Sequence, residues 1–249
     1  GTTMPVIYLS PSTQENNLYV SGGSEEEWMN RLADAMVPYL DASGIQYVRN
    51  TPDMTAASSI RASNAGNYDF HLALHSNAAT PSRYGQVRGI IVFYYPGSTN
   101  GKRAAEIVAD NLKAIYPLPN RVRTEATTAI GEVRQPRAPS VFLELGYHDN
   151  TDDAAWIKGN LDEIARNLVL SLTEYFGIPF LYPNTSRQGV VDVSWGYLNI
   201  RQRPSTSAPV IAKAYDGARL TILNQWQGWY LVRFDGTEGY ASSEFITLL

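Results

Sequence analysis

Phe70-His71-Leu72-Ala73-Leu74-His75-Ser76-Asn77-Ala78-Ala79 decides how the rest of the chain reads. Leu72 and Leu74 alternate with His71, Ala73 and His75, the pattern of a short buried strand. Side-chain direction repeats every two residues along a strand, so the two imidazoles, four residues apart, project to the same face. His75 falls where the apolar run yields to Ser-Asn, at the strand's C-terminal end. Open α/β sheets bind ligands at that edge. The chain has three histidines in all. The third, His148, follows another short apolar strand, Val141-Phe142-Leu143-Glu144-Leu145, which carries a carboxylate near its own C-terminal end. Two strand ends bearing proton- or metal-handling groups predict a catalytic site.

With 249 residues and 44% apolar content, the chain can bury a real core and form one large domain or two. It contains no long apolar run, so no membrane span is predicted. No signal-peptide pattern opens it, and Gly1-Thr2-Thr3-Met4 reads as a remnant before a trimmed start. The absence of cysteine excludes disulfides and thiolate metal sites. A net charge of −4 gives no support to nucleic-acid binding. Sixteen tyrosines and five tryptophans suit sugar or peptide surfaces and half-buried cores alike, and the core reading is preferred.

Outward from that strand, elements alternate. Pro5–Leu9 reads as a buried strand ending at the turn Ser10-Pro11-Ser12-Thr13. Ser24 followed by Glu25, Glu26 and Glu27 opens an amphipathic helix, with serine as cap and acids at the positive end. Met29, Leu32, Met36 and Leu40 keep helical spacing until Ser43-Gly44. Ile45–Arg49 is a strand, Met54–Gly66 a helix with Arg61 near its end, and Gly89–Tyr95 a strand. Lys102–Tyr116 is a helix broken by Pro117-Leu118-Pro119. An irregular stretch to Pro139 leads into the Glu144 strand, and Ala154–Phe176 reads as one long helix. This order predicts an α/β fold, a mostly parallel sheet flanked by helices, over residues 1–180.

The grammar then changes. A turn-rich linker, 181–189, places a boundary near residue 185. Residues 190–249 show only short strands: Val190–Val193, Tyr197–Arg201, Val210–Ala214, Arg219–Gln225, Trp229–Phe234 and Gly239–Ala241. A small all-β barrel is predicted there.

A neutral imidazole can bind Zn²⁺, the metal acidifies bound water, and a carboxylate takes its proton. His75 and Glu144 converging at one sheet edge suit that chemistry. They equally suit two hydrogen-bonded groups at the margin of a core.

A family resemblance extends this reading. Arg49 with Asp53, Arg61-Ala62-Ser63-Asn64, Ala73-Leu74-His75-Ser76-Asn77-Ala78, the Gly89–Tyr95 strand and Pro139-Ser140-Val141-Phe142-Leu143-Glu144-Leu145-Gly146-Tyr147 follow one another in order. In that order and spacing, residues 5–178 resemble the zinc-dependent N-acetylmuramoyl-L-alanine amidases of the parallel-sheet type, which cleave bacterial peptidoglycan. The resemblance implies His75 as a zinc ligand, Glu144 as the catalytic carboxylate, and a helix-opening glutamate as a second ligand. Helix register selects Glu25 for the last role, with Glu26 one position away. It also implies substrate contacts at Asn77 and Arg61.

The chain departs from the family at one place. Where the family has Asp-Pro-Gly-His, this chain has Ser10-Pro11-Ser12-Thr13-Gln14, and neither hydroxyl nor amide is a strong zinc ligand. Three accounts follow: another histidine supplies the nitrogen, the metal is held by more oxygens, or the site only binds wall fragments. His148, just past Glu144, is the preferred substitute. His71, roughly 13 Å back along the strand, is expected to be a satisfied core histidine.

The C-terminal stretch Gly196–Ser205, with Pro209-Val210-Ile211-Ala212, Gly228–Arg233 and Gly239-Tyr240-Ala241, resembles bacterial SH3-type domains. Such modules tether wall hydrolases to peptidoglycan. Of its aromatics, Trp195, Tyr197, Trp226, Trp229 and Tyr240 are candidates for a ligand groove, with Trp229 and Tyr240 named as contacts. The combined expectation is a zinc hydrolase of the bacterial cell wall, acting outside the cell on the amide between N-acetylmuramic acid and L-alanine. A wall-binding protein without activity, or a hydrolase of a stem-peptide bond, are the alternatives.

Overall fold

The computed structural model describes residues 3–249, so Gly1 and Thr2 of the presumed remnant lie outside the described residues. Two compact units emerge, one built mainly from Val6–Val37 and Tyr47–Tyr175, the other from Pro38–Gln46 and Phe176–Leu249. Among the described residues no helix is long and apolar enough to cross a membrane.

The first unit's elements run β1 (Val6–Pro11), α1 (Glu25–Ala42), β2 (Gln46–Arg49), α2 (Ala56–Ala65), β3 (Phe70–Asn77) and β4 (Ile90–Tyr94). They continue as α3 (Thr99–Lys113), β5 (Val122–Ala126), α4 (Gly131–Arg134), β6 (Ser140–Tyr147), α5 (Thr151–Gly159) and α6 (Leu161–Phe176). The sheet order is β2-β1-β3-β6-β4-β5. Strand β3 pairs in parallel with β1 and β6, which makes the quoted stretch the centre of the sheet. Its residues Phe70–Ser76 are all buried, as a run covered on both faces requires. Helix α1 stops where Gly44 adopts φ +76°, a left-handed conformation that closes the last turn as Ile45 N donates to Leu40 O.

The sheet is mostly parallel, as expected, with a reversal at β4. Strand β4 runs antiparallel to β6 while β5 is parallel to β4. The β3–β4 link carries no α-helix to return the chain to its starting edge, so β4 starts where β3 ends. The stretch 117–138, which lacks periodicity, contains β5 and the single-turn α4. The long helix expected over Ala154–Phe176 is two helices: Asn150 caps α5 by accepting from Asp152 N and Asp153 N, and Gly159-Asn160 breaks the run.

The second unit's sheet is antiparallel in every pairing assigned, in the order β13-β7-β10-β11-β12-β8-β9. Its strands are β7 (Arg187–Val191), β8 (Tyr197–Arg201), β9 (Val210–Tyr215), β10 (Arg219–Trp226), β11 (Trp229–Phe234), β12 (Thr237–Ser242) and β13 (Ile246–Leu248). Val191, Leu198, Ile200, Leu220, Ile222, Val232 and Ile246 form its core. Strand β7 begins inside the stretch read as linker because Arg187 pairs with Ile222.

Asp153 is the buried joint that fixes the end of β6. It is fully buried and accepts from Tyr147 N (2.9 Å), Gly89 N (3.2 Å), Tyr116 Oη (2.6 Å) and Arg88 Nε (2.8 Å). Replacing it with alanine strands four donors at once. Asp153→Ala is expected to lower stability by about 3–5 kcal/mol, the usual cost of breaking a buried charged pair, measured by urea unfolding.

Candidate active site

The in-register pairing of β3 with β6 builds the site. His71 lies beside Ser140, Ala73 beside Phe142, and His75 beside Glu144, and neighbours in a parallel pair share a face. The His75 ring stacks on Phe142 with centroids 4.0 Å apart and 19° between planes. Beyond His75 the register shifts before Asn77, so the strand ends in an irregularity at the cavity. That cavity, about 420 Å³, is lined by Glu25, His75, Asn77, Glu132, Glu144 and His148 among others.

Helix α1 delivers Glu25. Ser24 Oγ accepts from Glu27 N at 3.1 Å, closing the N-terminal cap, and the first-turn Glu25 turns inward. Its Oε2 lies 2.7 Å from His75 Nδ1, and its Oε1 accepts from Asn17 Nδ2 at 3.0 Å. Burial opposes its charge, but hydrogen bonds from His75, Asn17 and Ser12 outweigh that and hold the carboxyl below its ordinary value. Glu26 is half-buried and instead accepts from Asn30 Nδ2 at 3.4 Å.

Glu132, on α4, is the residue that the sequence reading missed. Its Oε2 lies 2.8 Å from His71 Nε2, and its Oε1 3.9 Å from His75 Nε2. The second separation is an ion-pair distance, too long for a hydrogen bond, so His75 Nε2 has no hydrogen-bond partner among the described residues. His71 is buried and satisfied, since its Nδ1 meets Ser63 Oγ at 2.8 Å. Val133 packs with Ala73 and Phe142, which seats α4 over this strip of sheet. A buried histidine needs a polar partner, and that demand from His71 was the available clue to a carboxylate in 117–138.

The charges sort themselves. Burial raises the Glu132 carboxyl, yet His71 and His75 overcome it and hold it at about 2. Burial pulls His75 down, yet Glu132 and Glu25 raise it to about 9. Glu144 gains no such help: burial lifts it to about 8, with His75 opposing and Glu25 adding. Its Oε2 is buried with no hydrogen-bond partner among the described residues.

Two of the expected site residues stand elsewhere. Arg61 is exposed on α2, whose buried side is Ser59, Ile60 and Ser63, and it does not line the cavity. Tyr240 is fully buried in the barrel, paired with buried Leu231, so it belongs to the core and not to a groove. His148 does line the cavity, but its Nδ1 is 2.9 Å from Ser76 Oγ, which accepts from Tyr19 Oη at 2.9 Å and so donates to the ring. Burial lowers its pKa, in keeping with a neutral ring. In the barrel, Trp195, Tyr197, Arg201, Trp229 and Phe245 line a groove of about 500 Å³ that excludes Trp226.

One carboxyl lifted and two held ionised around an imidazole, at the edge of a mostly parallel sheet, make a centre suited to acid–base hydrolysis. Residues 12–174, well over half of the chain, match the N-acetylmuramoyl-L-alanine amidase family, and residues 196–247 match the bacterial SH3 domain. The chain belongs to the N-acetylmuramoyl-L-alanine amidase family, and it is a peptidoglycan amidase carrying an SH3 domain. No curated protein matches it. Its fold is similar to that of the N-acetylmuramoyl-L-alanine amidase AmiC2 of Nostoc punctiforme, with TM-score 0.63, 16% identity, and 71% of this chain and 99% of that chain covered. The catalytic domain of CwlV from Bacillus (Paenibacillus) polymyxa gives TM-score 0.61 and 15% identity over 71% of this chain and all (100%) of that chain. Ami1 from Mycobacterium smegmatis gives 0.60 and 16% over 71% and 99%.

The family is generally zinc-dependent. Among the described residues, however, no group of three or more histidines and carboxylates is arranged to hold a metal ion. His148 does not complete a set with His75 and Glu25, because Ser76 donates to its Nδ1, which leaves the proton of the neutral ring on Nε2 and no free ring lone pair. A catalytic zinc takes three protein donors, and this donor set does not supply them.

Stability should register these charges. His75 at about 9 lies above its ordinary 6.5, so its contribution is complete below pH 6.5 and is lost as pH rises through 9. Glu144, at about 8 against 4.5, acts in the same direction, whereas Glu132, at about 2 against 4.5, loses its contribution only in acid. Thermal unfolding is expected to show falling stability above neutral pH, with a flatter alkaline limb in His75→Gln.

Proposed function

We propose that the cavity hydrolyses the amide between N-acetylmuramic acid and L-alanine, with Glu144 moving the proton, and that the SH3 domain holds the enzyme on the wall. Glu144 carries the reading: a carboxyl lifted to about 8, its Oε2 buried without a hydrogen-bond partner among the described residues, lining a cavity beside His75. Its ionised form takes a proton from the attacking water. It then passes that proton to the L-alanine nitrogen as the carbon–nitrogen bond breaks. His75, oriented by Glu25 through Nδ1, offers Nε2 to the water or to the carbonyl oxygen. Asn77 lines the same cavity and is the candidate to position the substrate. Action at the cell wall, outside the cell, follows from substrate and barrel together.

Glu144→Gln is expected to lower release of stem peptide from purified peptidoglycan by about 100- to 10,000-fold with the fold retained. Because the base is the ionised form, wild-type kcat/KM should rise with pH through about 8. Mass spectrometry should find a new L-alanine amino terminus. A cut within the stem peptide would overturn the bond assignment, and binding without any release would leave only the wall-binding alternative.

The barrel's groove supports the tethering role through Trp195, which is 87% exposed at its mouth. Exposed aromatics of this kind anchor ligands by stacking and burial. Trp195→Ala is expected to reduce sedimentation of the whole chain with purified walls by about 10-fold, without changing hydrolysis of a soluble fragment.

A further inference from the structure

We propose that Glu132, held by His71, fixes His75 in place of a third metal donor, so that this amidase works without a resident zinc ion. The inference rests on the amidase reading for its chemistry and on distances for its geometry. Tetrahedral zinc with bonds of 2.0–2.1 Å keeps two donor atoms roughly 3.3 Å apart. Glu25 Oε2 and His75 Nδ1 are 2.7 Å apart, the separation of a charge-assisted hydrogen bond. The space between them suits a proton, not a metal ion.

On the far side of the ring, the chain of contacts runs from His75 through Glu132 and His71 to Ser63, across β3, α4 and α2. None of Glu132, His71 and Ser63 carries a role in the zinc set implied by the resemblance. The turn after β1, which lacks the family's histidine, instead buries Ser12, whose hydroxyl accepts from Gln14 N at 3.1 Å. Burying a histidine–carboxylate pair is a costly way to fill space that apolar side chains would fill without penalty. Its position against His75 gives the cost a purpose. The resemblance implies a zinc ion between imidazole and carboxylate. Here a second carboxylate, braced from behind, restrains the same ring.

The test uses the full chain, purified without chelator, as wild type and Glu132→Gln. Three measurements are made: zinc content by elemental analysis, calorimetric titration with zinc chloride, and stem-peptide release before and after dialysis against 1,10-phenanthroline. The expected results are zinc far below one per chain, no saturable zinc binding, and release unchanged by chelation. Glu132→Gln should lower kcat by about 10- to 100-fold, the usual cost of losing an orienting partner, with KM and near-ultraviolet circular dichroism unchanged. A stoichiometric zinc whose removal abolishes release, and whose return restores it, would overturn the proposal. Undiminished kcat in Glu132→Gln would overturn the role of Glu132. A wild type that holds no zinc and releases nothing would refute working without zinc and would count against the amidase reading too, whereas an active zinc form would refute the proposal and leave that reading standing.

Discussion

The register between β3 and β6 is the constraint on which the site depends. The pairing of the two strands sets His75 beside Glu144 and His71 beside Ser140. A slip of one residue would turn every side chain of β3 to the opposite face. The run of buried residues on both strands prevents that slip, because each face is packed. Catalytic geometry is thus inherited from hydrophobic burial, and the reactive groups are passengers at fixed positions on a rigid lattice.

Placing so much charge in one region is tolerable only because the groups compensate one another. Glu25 and Glu132 approach His75 from opposite ring nitrogens, and His71 shares Glu132. A low-dielectric surrounding makes each of these contacts strong and each unpaired group expensive. Glu144 alone among the three carboxylates has no partner of opposite charge within hydrogen-bonding reach. Its displaced pKa is the consequence of that isolation, with burial as the main cause. The division of labour between a proton-moving carboxyl and orienting carboxylates therefore comes from who has a partner and who does not.

Much of this was legible in the sequence, for identifiable reasons. Strong apolar periodicity marked α1, β3 and β6, and Ser24 with three glutamates marked the point at which Glu25 enters. The sequence could not show β5 or α4, whose few residues are too short to display a period. Glu132 consequently lay in a stretch that read as irregular. Arg61 was placed by motif order, yet the face it occupies on α2 is set by which neighbours are buried. Tyr240 was read from its aromatic character, while the barrel's alternation turned it inward. Periodicity betrays long elements and their faces. It is silent on single turns and on which polar groups meet in space.

The reversed strand β4 has a consequence for how the protein varies. Ile91 lies opposite Glu144 and Tyr94 opposite Val141, so β4 starts at the catalytic edge, where β3 finishes. The connection 78–89 therefore leaves and returns on the same side, never crossing the sheet. It is pinned from outside itself: Asp149 accepts from Ala79 N and Gly85 N, Asn150 donates to Gly85 O, and Asp153 holds Gly89 N. A segment tied along its length, whose first residue Ala78 lines the cavity, behaves as an exchangeable cassette. Evolution, or a protein engineer, can rewrite its tip to admit a different wall chemistry while the load of folding stays with strands that the change never touches.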